Sequence, residues 1–202
     1  MNDLRRLDLG CGPRKTPGFF GVDHAPFEGV DLVHDLRQTP WPLDESSFDE
    51  VVASHIIEHL DDVPAFLREI HRVCRDGAVV RIITPHYSNR SSYLDPTHRH
   101  AFSARFLELL ADAPEWRPSG SFAIARSYLF EHHHTFHTLI PDAPFDLRSV
   151  DLSFARFFRY LGIDRFANWK IDFYEFYLAW MLPARDITAE LVVRKSAPKD
   201  ES

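Results

Sequence analysis

This chain has little cysteine, no long apolar run and no excess of positive charge. Its two cysteines, Cys11 and Cys74, are far apart in the sequence, so no structural disulfide is expected, as is usual in a reducing compartment. The first residues contain no apolar stretch of signal-peptide length, and no segment reaches the ~20 apolar residues that cross a bilayer. These absences predict a cytoplasmic protein.

The shortage of positive charge limits the choice of partners. The chain has 23 Lys and Arg residues against 30 Asp and Glu residues, which gives a formal net charge of −7. Binding nucleic acid requires a concentrated basic surface, so we expect no nucleic-acid partner. The hydrophobic fraction of 45% over 202 residues is ordinary for a soluble globular protein, and it suffices for a single α/β domain spanning residues 1–202.

Short apolar runs are what the first part of the chain does contain. They predict strands at Arg6–Leu9, Phe19–Val22, Val30–Val33, Phe48–Ala53 and Ala78–Thr84. Most of these runs lack strict alternation, which is typical of parallel strands that helices cover on both faces.

Two helices are predicted after the fourth run. Asp62 can cap the first helix, Pro64 suits its first turn, and Asp76-Gly77 is expected to end it. Its apolar face consists of Phe66, Leu67, Ile70, Val73 and Cys74. The second helix is expected to start at Ser103 and to bury Phe106, Leu107 and Leu110.

The C-terminal third has a different pattern. Strands are predicted at Phe145–Phe154 and Ile187–Arg194, with an aromatic-rich helical insertion at residues 155–182 between them. Strand–helix alternation followed by a strand pair indicates an α/β fold: a Rossmann-like, mostly parallel sheet with an antiparallel last strand pair. Residues 197–202 are polar and are expected to form a frayed tail.

The most informative stretch is Leu7-Asp8-Leu9-Gly10-Cys11-Gly12, a short apolar strand that leads into a glycine turn. Because glycine has no Cβ, the backbone at such a turn can approach a ligand closely. Asp23 ends the next strand, where an acidic residue can bind both ribose hydroxyls of a nucleoside. This arrangement predicts a nucleoside site.

Two classes of nucleoside ligand fit such a site. A nicotinamide dinucleotide needs a helix N-terminus for its pyrophosphate, but the proline-rich loop from Pro13 to Gly18 is too short for a useful helix. S-adenosylmethionine has no phosphate, and Asp8 is favourable near its ammonium and sulfonium. Charge therefore favours S-adenosylmethionine. A nicotinamide-dependent enzyme and a non-catalytic nucleoside-binding protein stay open as alternatives.

Further ordered motifs give the chain a family resemblance. They are Gly21-Val22-Asp23, His34-Asp35-Leu36, Ser47–Val52, Ser54–Leu60, and Asp76-Gly77 before a strand that ends at Pro85. With the glycine turn, they make residues 6–107 resemble the class I S-adenosylmethionine-dependent methyltransferases, and most closely a small bacterial branch grouped as methyltransferase type 11. The resemblance implies an enzyme that transfers a methyl group to a small-molecule or glycan acceptor, with oxygen favoured over nitrogen.

The resemblance also implies a cofactor site. The glycines would line the methionine end, the acid after the second strand would bind the ribose, residues 35–36 would meet the adenine, and residues 54–55 would flank the sulfonium. The implied cofactor-binding residues are Asp8, Gly10, Cys11, Gly12, Asp23, Asp35, Leu36, Ser54 and His55. Arg14 stands where the family has a third glycine, and the first helix is reduced to a loop. Whether Arg14 or Lys15 contacts the methionyl carboxylate stays open.

The segment His55-Ile56-Ile57-Glu58-His59 also matches H-x-x-E-H, a zinc-hydrolase signature. That chemistry requires a long helix carrying both histidines, together with a further ligand downstream. Here the motif follows a strand directly and Pro64 comes soon after it. A structural or cofactor-flanking role is therefore favoured over zinc hydrolysis.

Histidines are concentrated between residues 86 and 137. They are His86, His98, His100, His132, His133, His134 and His137. The loop at residues 95–100 should lie above the carboxyl ends of the strands, where α/β sheets bind ligands. Asp95 and the first three histidines are therefore candidates for deprotonating an acceptor, or else they hold this loop by hydrogen bonds. Residues 132–134 are interpreted as a polar surface run. No metal ligand is predicted, because no recognisable ligand spacing occurs.

Residues 171–182 are apolar on most sides. Such a helix normally packs in the core, or it covers the acceptor pocket as a lid. Pairing of subunits and contact with a membrane surface are the less favoured alternatives.

Overall fold

The computed structural model describes residues 4–108, 140 and 144–195. In this part of the chain a seven-stranded sheet has the strand order β3-β2-β1-β4-β5-β7-β6. Its strands are β1 Arg6–Leu9, β2 Phe20–Asp23, β3 Leu32–Val33, β4 Phe48–Ser54, β5 Cys74–Pro85, β6 Phe145–Leu152 and β7 Asp186–Val193.

The sheet is parallel except at β7. Strands β1 to β5 pair in parallel, whereas β7 is antiparallel to both β5 and β6. This topology confirms the predicted fold class. The strand order reverses between the paired strands β1 and β4, and ligands of open α/β sheets bind in the crevice that such a reversal creates at the carboxyl ends of the strands.

Helix α1, Val63–Val73, begins as predicted. Asp62 Oδ1 accepts a hydrogen bond from the backbone N of Ala65 at 2.8 Å, and a proline occupies the first turn. The predicted apolar face is fully buried: Phe66, Leu67, Ile70 and Val73. Burial of each such large side chain contributes roughly 1.5–3 kcal/mol to the stability of the fold. This buried face therefore holds α1 in the hydrophobic core.

The end of α1 corrects the prediction that the helix runs to Asp76-Gly77. The backbone N of Ser47 donates to the carbonyl of Val73 at 2.7 Å, and the backbone of Cys74 is already extended. Cys74 is therefore the first residue of β5 rather than a helical residue. Gly77 adopts its positive φ of 76° within that strand.

Two short helices follow β5. They are α2 Ser91–Leu94 and α3 Ala104–Glu108. Helix α3 starts where predicted, because Ser103 Oγ accepts a hydrogen bond from the backbone N of Phe106 at 3.2 Å. Some predicted features fall outside the described residues: Leu110, His132–His134, His137 and residues 197–202.

The predicted helical insertion lies between β6 and β7. It contains α4 Arg156–Tyr160, α5 Ile163–Trp169 and α6 Ile171–Phe173, which continues as a π-helical turn at Tyr174–Leu178. Tyr174 is fully buried, and its ring packs 5.3 Å from that of Phe154. The outer side exposes large apolar side chains: Phe157, Tyr160, Leu161, Trp169, Trp180 and Met181. Among the described residues, no helix has the length and apolar character needed to cross a membrane.

Candidate functional site

The glycine turn follows β1 and has no helix after it, as predicted. Gly10 and Gly12 have positive φ angles of 68° and 54°, which glycine adopts without the strain that a Cβ would cause. A Cβ on Gly10 would lie 3.1 Å from the side chain of Ile56, whereas nothing lies within 4 Å of that position on Gly12. Gly10 is thus required by packing, and Gly12 faces open space.

Two buried carboxylates support this turn. Asp8 Oδ2 accepts a hydrogen bond from the backbone N of Thr16 at 2.7 Å, and Asp23 Oδ2 accepts one from the backbone N of Gly12 at 2.8 Å. Burial, followed by the charges of Asp8 and Asp23, raises the pKa of the Cys11 thiol to about 11. Burial is the larger cause of this shift; the part that comes from the two carboxylates reflects negative charge at the turn, which suits a cationic ligand and opposes a diphosphate.

The basic residues of the loop differ in their partners. Lys15 Nζ pairs with Asp31 Oδ2 at 2.7 Å, and its aliphatic chain covers Gly21, where a Cβ would come 2.5 Å from Lys15 Cδ. Lys15 is therefore committed to the neighbouring β2 region. Arg14 is exposed, so of the two basic residues it is the one available to a ligand.

Asp35 and Leu36 follow β3. Asp35 binds Arg37 with both carboxylate oxygens, at 2.9 Å to Nε and 2.8 Å to Nη2. The Arg37 guanidinium lowers the pKa of Asp35 below its ordinary value. Leu36 is buried, and its carbonyl accepts a hydrogen bond from Trp41 Nε1 at 3.1 Å. Asp35 would have to leave Arg37 before it could bind an adenine.

Ser54 and His55 lie where β4 ends, beside the crevice. His55 is in the left-handed region with a φ of 54°, and its backbone N donates to the carbonyl of Ile83 at 2.8 Å. Its Nδ1 lies 3.3 Å from Glu58 Oε1. The Glu58 carboxylate raises the pKa of His55 above its ordinary value, and this effect exceeds the opposing effect of burial.

A cavity of about 770 Å³ opens next to His55, at the carboxyl ends of β4 and β5. Nine of its twelve lining residues have ionisable, amide or hydroxyl side chains, and apolar atoms make up a slightly larger part of its surface than polar atoms. The lining residues are His55, Glu58, His59, Pro85, Asn89, Ser91, Leu94, Asp95, Pro96, His98, Arg185 and Asp186. A cavity with these polar groups is suited to a polar, hydroxyl-bearing molecule.

Of the candidate bases, Asp95 and His98 reach this cavity. Asp95 Oδ1 accepts hydrogen bonds from the hydroxyl and the backbone N of Thr97, at 2.6 and 2.8 Å, and these bonds lower the pKa of Asp95. His98 Nε2 lies 3.9 Å from Asp95 Oδ2. His100 instead lines a separate apolar cavity of about 120 Å³ with Phe102.

His86 is fully buried at the end of β5, outside the cavity. Its Nδ1 lies 2.7 Å from Ser88 Oγ, and its Nε2 lies 3.0 Å from Glu175 Oε1. The same carboxylate oxygen accepts a hydrogen bond from the backbone N of Ala104 at 2.7 Å. This arrangement favours the structural alternative for His86, because both ring nitrogens have partners and its partner Glu175 in turn connects the insertion to α3.

Sequence reasoning missed several residues of the cavity wall. Arg185 precedes β7 and Asp186 is its first residue; no motif marks either of them, and Asp186 Oδ1 lies 4.0 Å from His55 Nε2. Glu58 belongs to the family motif Ser54–Leu60 and to the zinc-hydrolase signature, and neither predicts its place in the cavity wall. The structure provides no long helix for that signature, because Ile57–His59 is a single 3₁₀ turn.

Comparison with protein families gives a direct match. The model of the methyltransferase domain matches residues 2–117 of this chain. The chain belongs to the methyltransferase domain family. The resemblance derived from the motifs is thereby confirmed, and the match includes the glycine turn, the cavity residues of the β4–α1 region and the loop at residues 95–100.

Individual relatives are more distant. A probable S-adenosylmethionine-dependent methyltransferase of Mycolicibacterium smegmatis is 37% identical over 95 residues, which cover 44% of this chain and 36% of that protein. The chain thus aligns with only about a third of that relative's length. This relationship supports the family assignment but leaves the activity of the whole protein to be tested.

Solved structures support the fold. An S-adenosylmethionine-dependent methyltransferase from Archaeoglobus fulgidus aligns with a TM-score of 0.50 and 18% identity, over 94% of this chain and 86% of that chain. The [4+2]-cyclase SpnF aligns with a TM-score of 0.53 and 13% identity, over 96% of this chain and 75% of that chain. Since a protein described as a cyclase has this fold, the fold alone does not define the reaction.

The residues present fit S-adenosylmethionine at the glycine turn. The space beside Gly12 is open, and the buried acids Asp8 and Asp23 provide negative charge without a helix N-terminus for a pyrophosphate. Each carboxylate oxygen can accept two hydrogen bonds, so Asp23 keeps acceptor capacity after binding the backbone N of Gly12 and of Ala25. The fit is weaker at Asp35, which is engaged by Arg37.

Proposed function

We propose that this protein transfers a methyl group from S-adenosylmethionine to a small or carbohydrate-like acceptor, at oxygen rather than nitrogen. The observation that carries this proposal is that two features follow the paired strands β1 and β4. A negatively charged glycine turn follows β1, and a polar cavity of about 770 Å³ begins at His55 after the paired strand β4.

The chain's own residues have mainly a positioning task. When bound, the cofactor supplies a methyl group on a sulfonium, which needs no further activation as a leaving group. Asp8, Gly12 and Asp23 would hold its nucleoside and amino-acid parts, and Ser54 and His55 would face the reacting end. Aligning an acceptor oxygen with the methyl group is then the main contribution to rate.

The cavity wall supports an acceptor with hydroxyl groups. Asn89, Ser91 and Arg185 supply donors and acceptors around it, whereas an apolar acceptor would leave such groups unpaired at a cost in binding. Asp95 and His98 are the groups placed to receive the proton that an acceptor hydroxyl loses. His86 has no such role in this proposal because it is buried outside the cavity.

Two other functions are tested alongside this one. A non-catalytic nucleoside-binding protein would use the same buried acids, and the cyclase with this fold shows that the scaffold can serve another reaction. A nicotinamide-dependent enzyme is disfavoured by the negative potential at the turn.

Calorimetric titration with S-adenosylmethionine, S-adenosylhomocysteine and NAD, followed by turnover assays, tests the proposal. We expect both sulfur nucleosides to bind and NAD not to bind. The turnover assay uses a panel of sugars and small phenols as hydroxyl acceptors, and amines as the nitrogen control. We expect release of S-adenosylhomocysteine in the presence of a hydroxyl acceptor. Binding of NAD alone would overturn the proposal, and so would nucleoside binding without turnover on any acceptor.

A further inference from the structure

Three side chains on the cavity wall come together with a composition typical of metal sites. Glu58 and His59 lie in the 3₁₀ turn after β4, and His98 comes from the loop after α2. One ligand atom from each residue lies within 4.8 Å of the other two. Spacing along the chain does not reveal this set, because the third member comes from a separate loop.

Two of these side chains contain buried atoms without a hydrogen bond. Glu58 is 1% exposed; its Oε2 accepts a hydrogen bond from Thr84 Oγ1 at 3.0 Å, but its Oε1 has no hydrogen-bond partner among the described residues. Buried Nδ1 of His98 also lacks one among them. Glu58 Oε1 has an ion-pair contact at 3.3 Å, with His55 Nδ1, and a cation bound to Glu58 would replace His55 in that contact. A buried ring nitrogen without a partner is costly, and coordination of the same cation would satisfy Nδ1 of His98.

The side chain of His59 is oriented by a hydrogen-bond chain. Thr97 Oγ1 donates its one proton to Asp95 Oδ1 at 2.6 Å, and it lies 2.9 Å from His59 Nδ1. Because the hydroxyl has only one proton, it accepts the hydrogen bond from Nδ1–H of His59. The lone pair of His59 Nε2 is then free for a ligand. Metal-binding histidines are held in this way by their outer-shell partners.

We propose that Glu58, His59 and His98 bind a divalent transition-metal ion of the zinc type. Two imidazoles and one carboxylate suit such an ion better than Mg²⁺ or Ca²⁺, which prefer oxygen ligands. Three protein ligands leave a coordination position open toward the cavity. The site differs from the zinc-hydrolase signature in two respects: Glu58 is a ligand rather than a base, and His98 takes the place of His55.

A role in the reaction follows, and this part rests on the proposed function. An acceptor hydroxyl bound at the open position would have a lowered pKa. Asp95 on the same wall would receive its proton, since His98 as a ligand no longer can, and the acceptor oxygen would then form the new bond to carbon as the carbon–sulfur bond breaks. This role predicts a preference for acceptors that have a hydroxyl group able to coordinate the ion.

Metal titration tests the site without reference to activity. Untagged protein is freed of metal with a chelator and then titrated with Zn²⁺ by calorimetry and with Co²⁺ by visible absorption. We expect one equivalent to bind, and we expect at least ~100-fold weaker binding in the Glu58→Gln and His98→Gln variants. Thr97→Val, which removes the outer-shell partner of His59, should weaken binding ~10–100-fold. The matched control is His100→Gln, which should bind Zn²⁺ like the wild type because His100 faces the other cavity.

Several outcomes would overturn the metal site. Absence of Zn²⁺ and Co²⁺ binding would do so, and so would equal binding by wild type and His98→Gln. Because His132–His134 can bind metal adventitiously, that run is replaced by glutamines in a further variant; loss of binding in this variant alone would contradict the proposal. Circular dichroism monitors the folding of each variant. If Glu58→Gln does not fold, the comparison of wild type with His98→Gln, a substitution in a loop, tests the site.

Titration of the same samples with S-adenosylhomocysteine keeps the two proposals separate. Nucleoside binding without metal binding would refute the metal site and leave the proposed function standing. Metal binding without binding of S-adenosylmethionine or S-adenosylhomocysteine would support the site and refute the function.

Discussion

The two sides of the crevice differ in how their buried acids are satisfied. On the glycine-turn side, Asp8 and Asp23 accept hydrogen bonds from backbone amides at 2.7 and 2.8 Å. On the cavity side, Glu58 has one oxygen bonded to Thr84, and the other has no hydrogen bond but lies 3.3 Å from His55 Nδ1. Backbone amides therefore hold the acids of the first side, whereas the acid of the second side is held by side chains, one of which a bound cation would replace.

The largest effect is expected from Asp23→Ala. The variant leaves the backbone N groups of Gly12 and Ala25 without their acceptor, so we expect a loss of roughly 2–4 kcal/mol in the free energy of unfolding. Binding of S-adenosylhomocysteine should fall by at least ~100-fold, because the turn loses its shape together with the carboxylate that we propose binds the ribose. Urea denaturation and calorimetry measure the two effects.

The control for that experiment is Asp35→Ala. Asp35 is bound through its side chain by Arg37 near the surface, and exposed ion pairs are worth only ~0–1 kcal/mol. We therefore expect Asp35→Ala to lower the free energy of unfolding much less than Asp23→Ala. Equal losses in the two variants would contradict the claim that the buried acid of the glycine turn stabilises the fold more than an exposed ion pair does.

The next effect concerns the cavity side. At a Zn²⁺ concentration of 100 times the dissociation constant, the wild type should gain ~2.7 kcal/mol in the free energy of unfolding by mass action. Glu58→Gln, with at least ~100-fold weaker binding, should gain at most ~0.4 kcal/mol at the same Zn²⁺ concentration. Thermal unfolding with and without Zn²⁺ makes the comparison, and equal stabilisation of both proteins would refute the role of Glu58.

A smaller effect is expected from the two basic residues of the loop. Arg14→Ala should weaken S-adenosylhomocysteine binding about fivefold, or ~1 kcal/mol, if Arg14 contacts the methionyl carboxylate. Lys15→Ala should leave that affinity unchanged, because Lys15 Nζ is engaged by Asp31. Calorimetry measures the affinity of both variants for S-adenosylhomocysteine. An unchanged affinity in Arg14→Ala would exclude Arg14 as a cofactor ligand.

The smallest effect is expected at the exposed aromatic side of the insertion. Helices α4–α6 carry three arginines against two aspartates, which is no concentrated basic patch, and the chain has a net charge of −7, so we expect no net attraction to anionic lipid. In co-sedimentation with vesicles, we expect the protein to stay in the supernatant. Pelleting that is lost on Trp169→Ser and Trp180→Ser replacement would instead assign this side to a membrane surface.

Local patterns predicted the elements whose cause is local. The apolar runs predicted the strands, and Asp62 predicted the start of α1, because a cap and its helix are adjacent in sequence. The end of α1 could not be predicted in this way. It depends on the backbone N of Ser47, which comes from the segment before β4, and Cys74 therefore joins a strand despite its position in the helical pattern.

The residues of the candidate site also differ in whether local sequence or contacts between distant segments place them. The motif containing Asp8 and Gly12 is continuous in sequence and could be interpreted directly. The burial of His86 against Glu175 and the approach of His98 to Glu58 both depend on contacts between distant segments. Sequence reasoning could name these histidines as candidates, but it could not separate a structural histidine from one that faces the cavity.

The central claim is that the buried acids of the glycine turn attract a cationic nucleoside. Asp8→Asn tests this most directly, since the amide oxygen can still accept the hydrogen bond from the backbone N of Thr16 while the charge is removed. Calorimetry on the wild type and this variant is expected to show tenfold or greater weakening of S-adenosylmethionine binding, ~1.4 kcal/mol, with unchanged stability. Equal affinity of the two folded proteins for S-adenosylmethionine would contradict the account.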